Sequence, residues 1–259
     1  MGRLSGAGKP FGAPVPRDGH GLLCLEPGGD LLWHMGYQGI IFDLNGVLFS
    51  DSDLQEKSWQ VVARKLRGRE MTSEEFALHM HGRPNAYVLS YLAGRDIKGP
   101  ELADWIEVKE SLFRSLCLET PNRMTLSAGA EDLLESLRLA GTPRTIATSS
   151  GITNVKFFIE HLHLERWFDV AKLVYDDGVR PGKPAPDMYL AAARNIGLDP
   201  SRCVVVEDAV SGVEAAHAAK IGYIVGIATA ASHASLLKSK GAALVIETLQ
   251  AFPRELLLD

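Results

Sequence analysis

Residues 39–48 read Gly39-Ile40-Ile41-Phe42-Asp43-Leu44-Asn45-Gly46-Val47-Leu48. A short apolar run that ends on an acid is the pattern of a strand buried on both faces. The same form recurs at 143–148 (PRTIAT) and 202–206 (RCVVV), and more weakly at 172–175 (KLVY), 222–227 (GYIVGI) and 243–246 (ALVI). Helical periodicity fills the gaps. Residues 129–140 place Leu133, Leu134 and Leu137 on one face and stop at Gly141; 153–162, 186–196 and 210–220 behave likewise. Strand–helix alternation predicts an α/β fold with right-handed crossovers and a doubly wound parallel sheet.

One segment breaks the alternation. Residues 53–121 hold helical stretches at about 53–67, 72–80, 84–94 and 100–118, with no convincing strand. They read as an inserted all-α cap over the carboxyl ends of the strands, where open α/β sheets bind ligands. The expected organisation is an α/β core of residues 37–52 and 122–259, the cap at 53–121, and an extension at 1–36. That extension is rich in Gly and Pro without periodicity, as in a disordered or loosely packed segment. Its Gly6-Ala7-Gly8-Lys9-Pro10 lacks the spacing and the hydroxyl of a phosphate loop, and its apolar stretches are too interrupted for a signal peptide.

The bulk numbers exclude several function classes. The 259 residues are 46% hydrophobic with a formal net charge of -5 and show no basic stripe, so nucleic acid is not an expected partner. No apolar run reaches the roughly 18–20 residues of a membrane span. Cys24, Cys117 and Cys203 are widely spaced without a C-x-x-C, which argues against a disulfide framework or a zinc site. A monomer in the cytoplasm is the expectation.

Four polar clusters follow the apolar runs: Asp43 with Asn45 and Gly46; Thr148-Ser149-Ser150; Lys183 within Gly182–Asp187; and Glu207-Asp208. A parallel sheet gathers such ends on one edge. Three carboxylates there would repel unless a cation sat among them, and hard oxygen donors suit Mg²⁺. Asp43 could serve as both ligand and nucleophile. Thr148 and the backbone N–H groups of Ser149 and Ser150 suit phosphate oxygens, and Lys183 supplies a neutralising charge. Each cluster also has a plain structural use. Asp43 could be a turn residue, Thr148–Ser150 a helix cap, Lys183 a solvated loop charge and Glu207-Asp208 an N-cap pair.

The strings FDLNGVL, ATSS, GKPAPDMYLAAA and VVVEDAVSGVEAA resemble the four motifs of the haloacid dehalogenase-like hydrolase superfamily, in particular its β-phosphoglucomutase-like branch. The resemblance covers about residues 38–246, cap included. It implies a Mg²⁺-dependent phosphatase or phosphomutase acting through an aspartyl-phosphate on a small phosphorylated metabolite, a sugar phosphate above all. Asp43 matches the nucleophile and a metal ligand. The Asn45 backbone carbonyl, Asp208 and Glu207 match further ligands, Glu207 directly or through water. Thr148 and Lys183 match phosphate contacts, and Gly82-Arg83 resembles the cap loop that reaches the substrate.

The departures bear on mechanism. Asn45 stands where the family's general acid/base aspartate belongs, and an amide cannot exchange a proton usefully near neutral pH. Efficiency should suffer, and Asn45→Asp is expected to raise turnover. The alternative is a weakened pseudoenzyme that binds Mg²⁺ and a phosphorylated ligand. Gln55 lies where mutases of the branch often have His, and Gly151 and Ile152 lie where they tend to have polar sugar contacts. His79 and His81 match no role, and His161 and His163, two apart, do not share a helix face.

Overall fold

The computed structural model describes residues 36–80, 83–120 and 122–257. The extension read at 1–36 lies outside them except for Gly36, together with Cys24 and Gly6–Pro10; His81 and Gly82 are outside as well. The core is a six-stranded sheet in the order β3-β2-β1-β4-β5-β6. Its strands are β1 (Gly39–Phe42), β2 (Arg144–Gly151), β3 (Val174–Asp176), β4 (Cys203–Glu207), β5 (Tyr223–Ile227) and β6 (Leu244–Ile246). Every pairing is parallel. The order reverses at β1, which pairs with β2 on one side and β4 on the other, so the topological switch point is the end of β1.

Alternation along the strands divides the core between the two faces. Ile40, Phe42, Val204 and Val206 point to one face, which α5 (Ala130–Leu139) and α6 (Ile152–Leu162) cover. Ile41, Cys203 and Val205 point to the other, under α7 (Asp187–Asn195) and α8 (Val210–Ala218). All four β1 residues are buried, which is why this strand carries no polar residue. Cys117 and Cys203 are buried free thiols, and burial pushes both up to about 12.

Between β1 and α5 come four helices, α1 (Ser52–Arg67), α2 (Ser73–His79), α3 (Asn85–Ala93) and α4 (Gly99–Glu119). Helix α1 buries Leu54, Ser58, Trp59, Val62 and Ala63 on one stripe and ends at Gly68, whose φ of 73° only glycine adopts at little cost. A capping box of Thr72 and Glu75 opens α2. Trp59, Val62, Phe76, Val88, Leu89 and Ile97 form an apolar centre separate from those of the sheet.

Two elements differ from the sequence reading. Strand β2 continues to Gly151 because Gly151 pairs with Asp176 beyond a register shift after Ala147, so Thr148–Ser150 are extended backbone despite their polarity. Helix α9 (Ala231–Ser239) lacked a readable apolar stripe. Among the described residues no helix is long and apolar enough to cross a membrane.

Candidate active site

Register places the clusters. Phe42 pairs with Ile146 and with Val206, so the next residue of β1, Asp43, emerges between the ends of β2 and β4. Its backbone N–H still donates to the Val206 carbonyl at 2.9 Å. The chain then folds back tightly, with Gly46 N–H donating to the Phe49 carbonyl at 2.7 Å. Gly46 has φ 76°, and a Cβ there would lie 2.0 Å from Asp208 Oδ2. Glycine is therefore required twice over, for the left-handed turn and for the close approach of Asp208.

Lys183 is the centre of charge. It is buried, and its Nζ donates to Asp43 Oδ1 at 2.6 Å, Glu207 Oε1 at 2.5 Å and the Ala147 carbonyl at 3.1 Å. Burial alone would lower its pKa, but the Asp43 and Glu207 carboxylates outweigh it and hold the ammonium above the usual lysine range. Glu207 is fully buried; its Oε1 also accepts from Tyr189 Oη at 2.7 Å, and its Oε2 from Ala209 N–H at 2.9 Å. Both oxygens are thus engaged by the protein, and Glu207 stands as the partner of Lys183. Gly212 of α8 packs on it, where a Cβ would meet Oε1 at 1.7 Å.

The plain structural uses do not match this geometry. Helix α6 is capped by Gly151 and α8 by Ala209, and neither end has a side-chain cap bond. Lys183 is buried rather than solvated. Instead Asn45 Oδ1 accepts from Ser150 Oγ at 2.8 Å and from Thr148 Oγ1 at 3.4 Å. Ser150 N–H donates to Thr148 Oγ1 at 3.1 Å, so this phosphate donor of the sequence reading is engaged within its own strand. The Ser149 side chain is exposed. Arg83 is exposed too and lies over the Tyr87 ring, 5.0 Å from its centroid.

Burial raises Asp43 to about 7; Lys183 pulls it down while Glu207 and Asp51 push it up. Asp208 is pushed well above the carboxylate range, by burial first and then by the charges of Glu207, Asp43 and Asp51. This excess of buried negative charge, met by one ammonium, fits a hard cation held by Asp43 and Asp208. Among the described residues no three His, Cys, Asp or Glu side chains form a ready-made cage.

Several participants escaped the sequence reading. Asp51 is buried and accepts from Asn45 Nδ2 at 2.6 Å, Gln55 Nε2 at 2.9 Å and Gly46 N–H at 3.2 Å. Its spacing of four before Gln55 was the available signal. Lys109 of α4 is buried against Trp59 and Phe113 and donates to Gln55 Oε1 at 2.6 Å and Glu110 Oε1 at 3.0 Å. His233 of α9 donates from Nε2 to the Asp208 carbonyl at 2.7 Å, fixing that loop.

The chain is similar to known proteins. A family model described as haloacid dehalogenase-like hydrolase matches residues 37–220. A phosphorylated carbohydrates phosphatase of Thermotoga maritima is 29% identical over 217 residues, covering 81% of this chain and 94% of that protein. A fructose-1-phosphate phosphatase of Escherichia coli is 30% identical over 186 residues, covering 71% and 93%. The β-phosphoglucomutase of Mycobacterium tuberculosis is 29% identical over 240 residues, covering 81% and 88%. Among solved structures, a family IA, variant 3 hydrolase from Entamoeba histolytica is similar with a TM-score of 0.78 and 36% identity, over 85% of this chain and 96% of that one.

Proposed function

The chain belongs to the haloacid dehalogenase-like hydrolase family, and on that premise we propose that it cleaves a phosphate ester of a small sugar or sugar alcohol through an aspartyl-phosphate on Asp43. The observation that carries this reading is Lys183 Nζ held between Asp43 Oδ1 and Glu207 Oε1 at the end of the central strand. A carboxylate oxygen of Asp43 attacks phosphorus, the ester P–O bond breaks, and the leaving oxygen takes its proton from water. A second water then attacks the phosphorus of the acyl phosphate, releasing inorganic phosphate and regenerating Asp43. Lys183 favours the ionised form of Asp43 against the effect of burial and offsets charge on the transferring group. Asp43, Asp208 and the Asn45 carbonyl would hold Mg²⁺, which supplies electrostatic stabilisation of the phosphoryl oxygens.

The names of the relatives support sugar phosphates as the substrate class. A second reading, a Mg²⁺- and phosphate-binding protein of low turnover, draws on Asn45, whose amide donates to Asp51 and carries no acidic proton. The four-helix insert serves as the cap that closes over the substrate in either case. The test is Mg²⁺-dependent release of phosphate from p-nitrophenyl phosphate and from a panel of hexose and hexitol monophosphates. Turnover that vanishes in Asp43→Asn supports the enzyme. Binding of a phosphate mimic without turnover of any ester supports the second reading.

A further inference from the structure

The hydrogen bonds around residue 45 have a fixed polarity that can be followed from one end to the other. Lys109 Nζ can only donate, so the Gln55 atom facing it at 2.6 Å must be the carbonyl oxygen. That turns the Gln55 amide N–H₂ toward Asp51, which it meets at 2.9 Å. Gly46 N–H is a second obligatory donor, on the other oxygen of Asp51. With both oxygens taken as acceptors, Asp51 can receive residue 45 only through a donor, and Asn45 Nδ2 fills that place at 2.6 Å. The remaining end of the amide, Oδ1, therefore faces Ser150 Oγ and Thr148 Oγ1, which donate to it. Reversing Gln55 would set its amide N–H₂ against the Lys109 ammonium, and reversing Asn45 would set its Oδ1 against the Asp51 carboxylate, each a like-on-like contact in a part-buried network.

We infer that Asp51 is the positioning residue of this site: it requires an amide at position 45, and locks that amide with its carbonyl toward the Thr148–Ser150 hydroxyls. The pair 45/51 is a unit in which the carboxylate sits at 51 and the amide at 45. Asn45→Asp alone would set a carboxylate oxygen where the amide N–H₂ now lies, 2.6 Å from Asp51 Oδ2, acceptor against acceptor with the donor lost. The simple gain expected from restoring an acid at 45 is thereby withheld until residue 51 is changed as well. A serine at 51 resolves the conflict, because its hydroxyl can donate to an aspartate at 45 while accepting from Gln55. The role of the locked amide in turnover rests on the phosphoryl-transfer reading of the site; the pairing itself does not.

The experiment is a double-mutant cycle in the full chain with Asn45→Asp, Asp51→Ser and the two combined. Melting temperature and Mg²⁺-dependent steady-state kinetics on p-nitrophenyl phosphate are measured for all four forms. Asn45→Asp alone should melt about 5 °C or more below the parent and show no rise in kcat. Asp51→Ser alone should lose about tenfold or more in kcat with KM within about threefold, since the amide is no longer oriented. The double variant should recover the melting temperature lost in Asn45→Asp and exceed that variant's kcat by about tenfold or more, within the range of general acid/base assistance. If Asn45→Asp raises kcat as far as the double variant does, without loss of melting temperature, Asp51 imposes nothing on residue 45. An additive melting cycle overturns the pairing whatever the activity. A non-additive melting cycle in forms that all lack turnover keeps the pairing and removes the phosphoryl-transfer reading.

Discussion

Glu110 Oε2, on α4 of the helical insert, accepts a hydrogen bond of 2.6 Å from Asn154 Nδ2, on α6 of the core. The same Asn154 accepts from Arg114 at 2.7 Å through Oδ1, and Glu110 Oε1 accepts from Asn85 of α3 at 2.8 Å. Burial works against the charge on Glu110, but Lys109 and the two asparagine amides hold its pKa below the usual carboxylate value. Asn154 is thus a buried bolt between insert and sheet, one turn beyond the Thr148–Ser150 hydroxyls.

Asn154→Ala should loosen that bolt. It leaves Glu110 and Arg114 short of a partner, which costs about 1–3 kcal/mol, and should lower the melting temperature by about 3 °C or more. Limited proteolysis should then cut near residues 51 and 120 faster than in the parent, and a phosphate mimic with Mg²⁺ should slow the cutting. Equal cleavage rates in both proteins would show that the contact does not hold the insert.

Replacing Lys183 should be more damaging than replacing an exposed lysine. Lys183→Met leaves Asp43 and Glu207 buried without their counter-charge, and breaking such a cluster costs about 3–5 kcal/mol. Turnover should be lost along with that stability. Raising Mg²⁺ should return part of the melting temperature and none of the activity. A stable, active Lys183→Met protein would take the lysine out of the site.

Stability should depend on pH with a sign opposite to acid denaturation. Asp43 is raised from the ordinary aspartate value of 3.8 to about 7, so the folded protein binds more protons than the unfolded chain between those values. The stability gained from holding the proton is present at low pH and is lost as pH rises through the folded pKa. Asp208, raised by burial and neighbouring carboxylates, acts in the same direction. Metal-free protein should therefore melt lower at about pH 8 than at about pH 5, and Mg²⁺ should offset the difference by favouring the ionised forms. Asp208→Asn should flatten the profile and abolish Mg²⁺ binding measured by calorimetry. A profile that rises toward pH 8 without metal would contradict the buried-carboxylate account.

Gly46→Ala should injure the site through Asp208. The added Cβ meets a carboxylate oxygen at 2.0 Å and must adopt a positive φ. The strain and the clash should cost about 1–3 kcal/mol. Mg²⁺ affinity should fall with it, whereas Gly68→Ala, with a similar φ of 73° and open space around it, should lower stability alone. Equal Mg²⁺ affinity in the two variants would separate Gly46 from the metal site.

The sheet was legible because each central strand is an apolar run bounded by polar residues, and β1, β2 and β4 fall within a few residues of where those runs lie. The gathering of polar residues at their ends was legible for the same reason: Asp43, Thr148 and Glu207 belong to strands or follow them directly, and Lys183 reaches Asp43 across 140 positions only because the sheet brings them together. The network behind the site was not. Lys109 and Glu110 sit on α4 among charged residues, yet packing turns Lys109 inward beside Trp59 and Phe113 and sets Glu110 against Asn85 and Asn154. Periodicity reports apolar residues, and these inward positions are polar. Helix α9 was missed because among its described side chains Leu237 is the fully buried apolar one, too little for a stripe.

Tyr189 stands on α7, wholly buried, and hands its hydroxyl proton toward Glu207 at 2.7 Å. Glu207 steadies Lys183, and Lys183 steadies Asp43. The Asp43 carboxylate is therefore ballasted from α7, by a phenol wholly enclosed in the core. Shaving off that single hydroxyl would shift weight along three side chains and retune the proposed nucleophile from a helix away from its own strand.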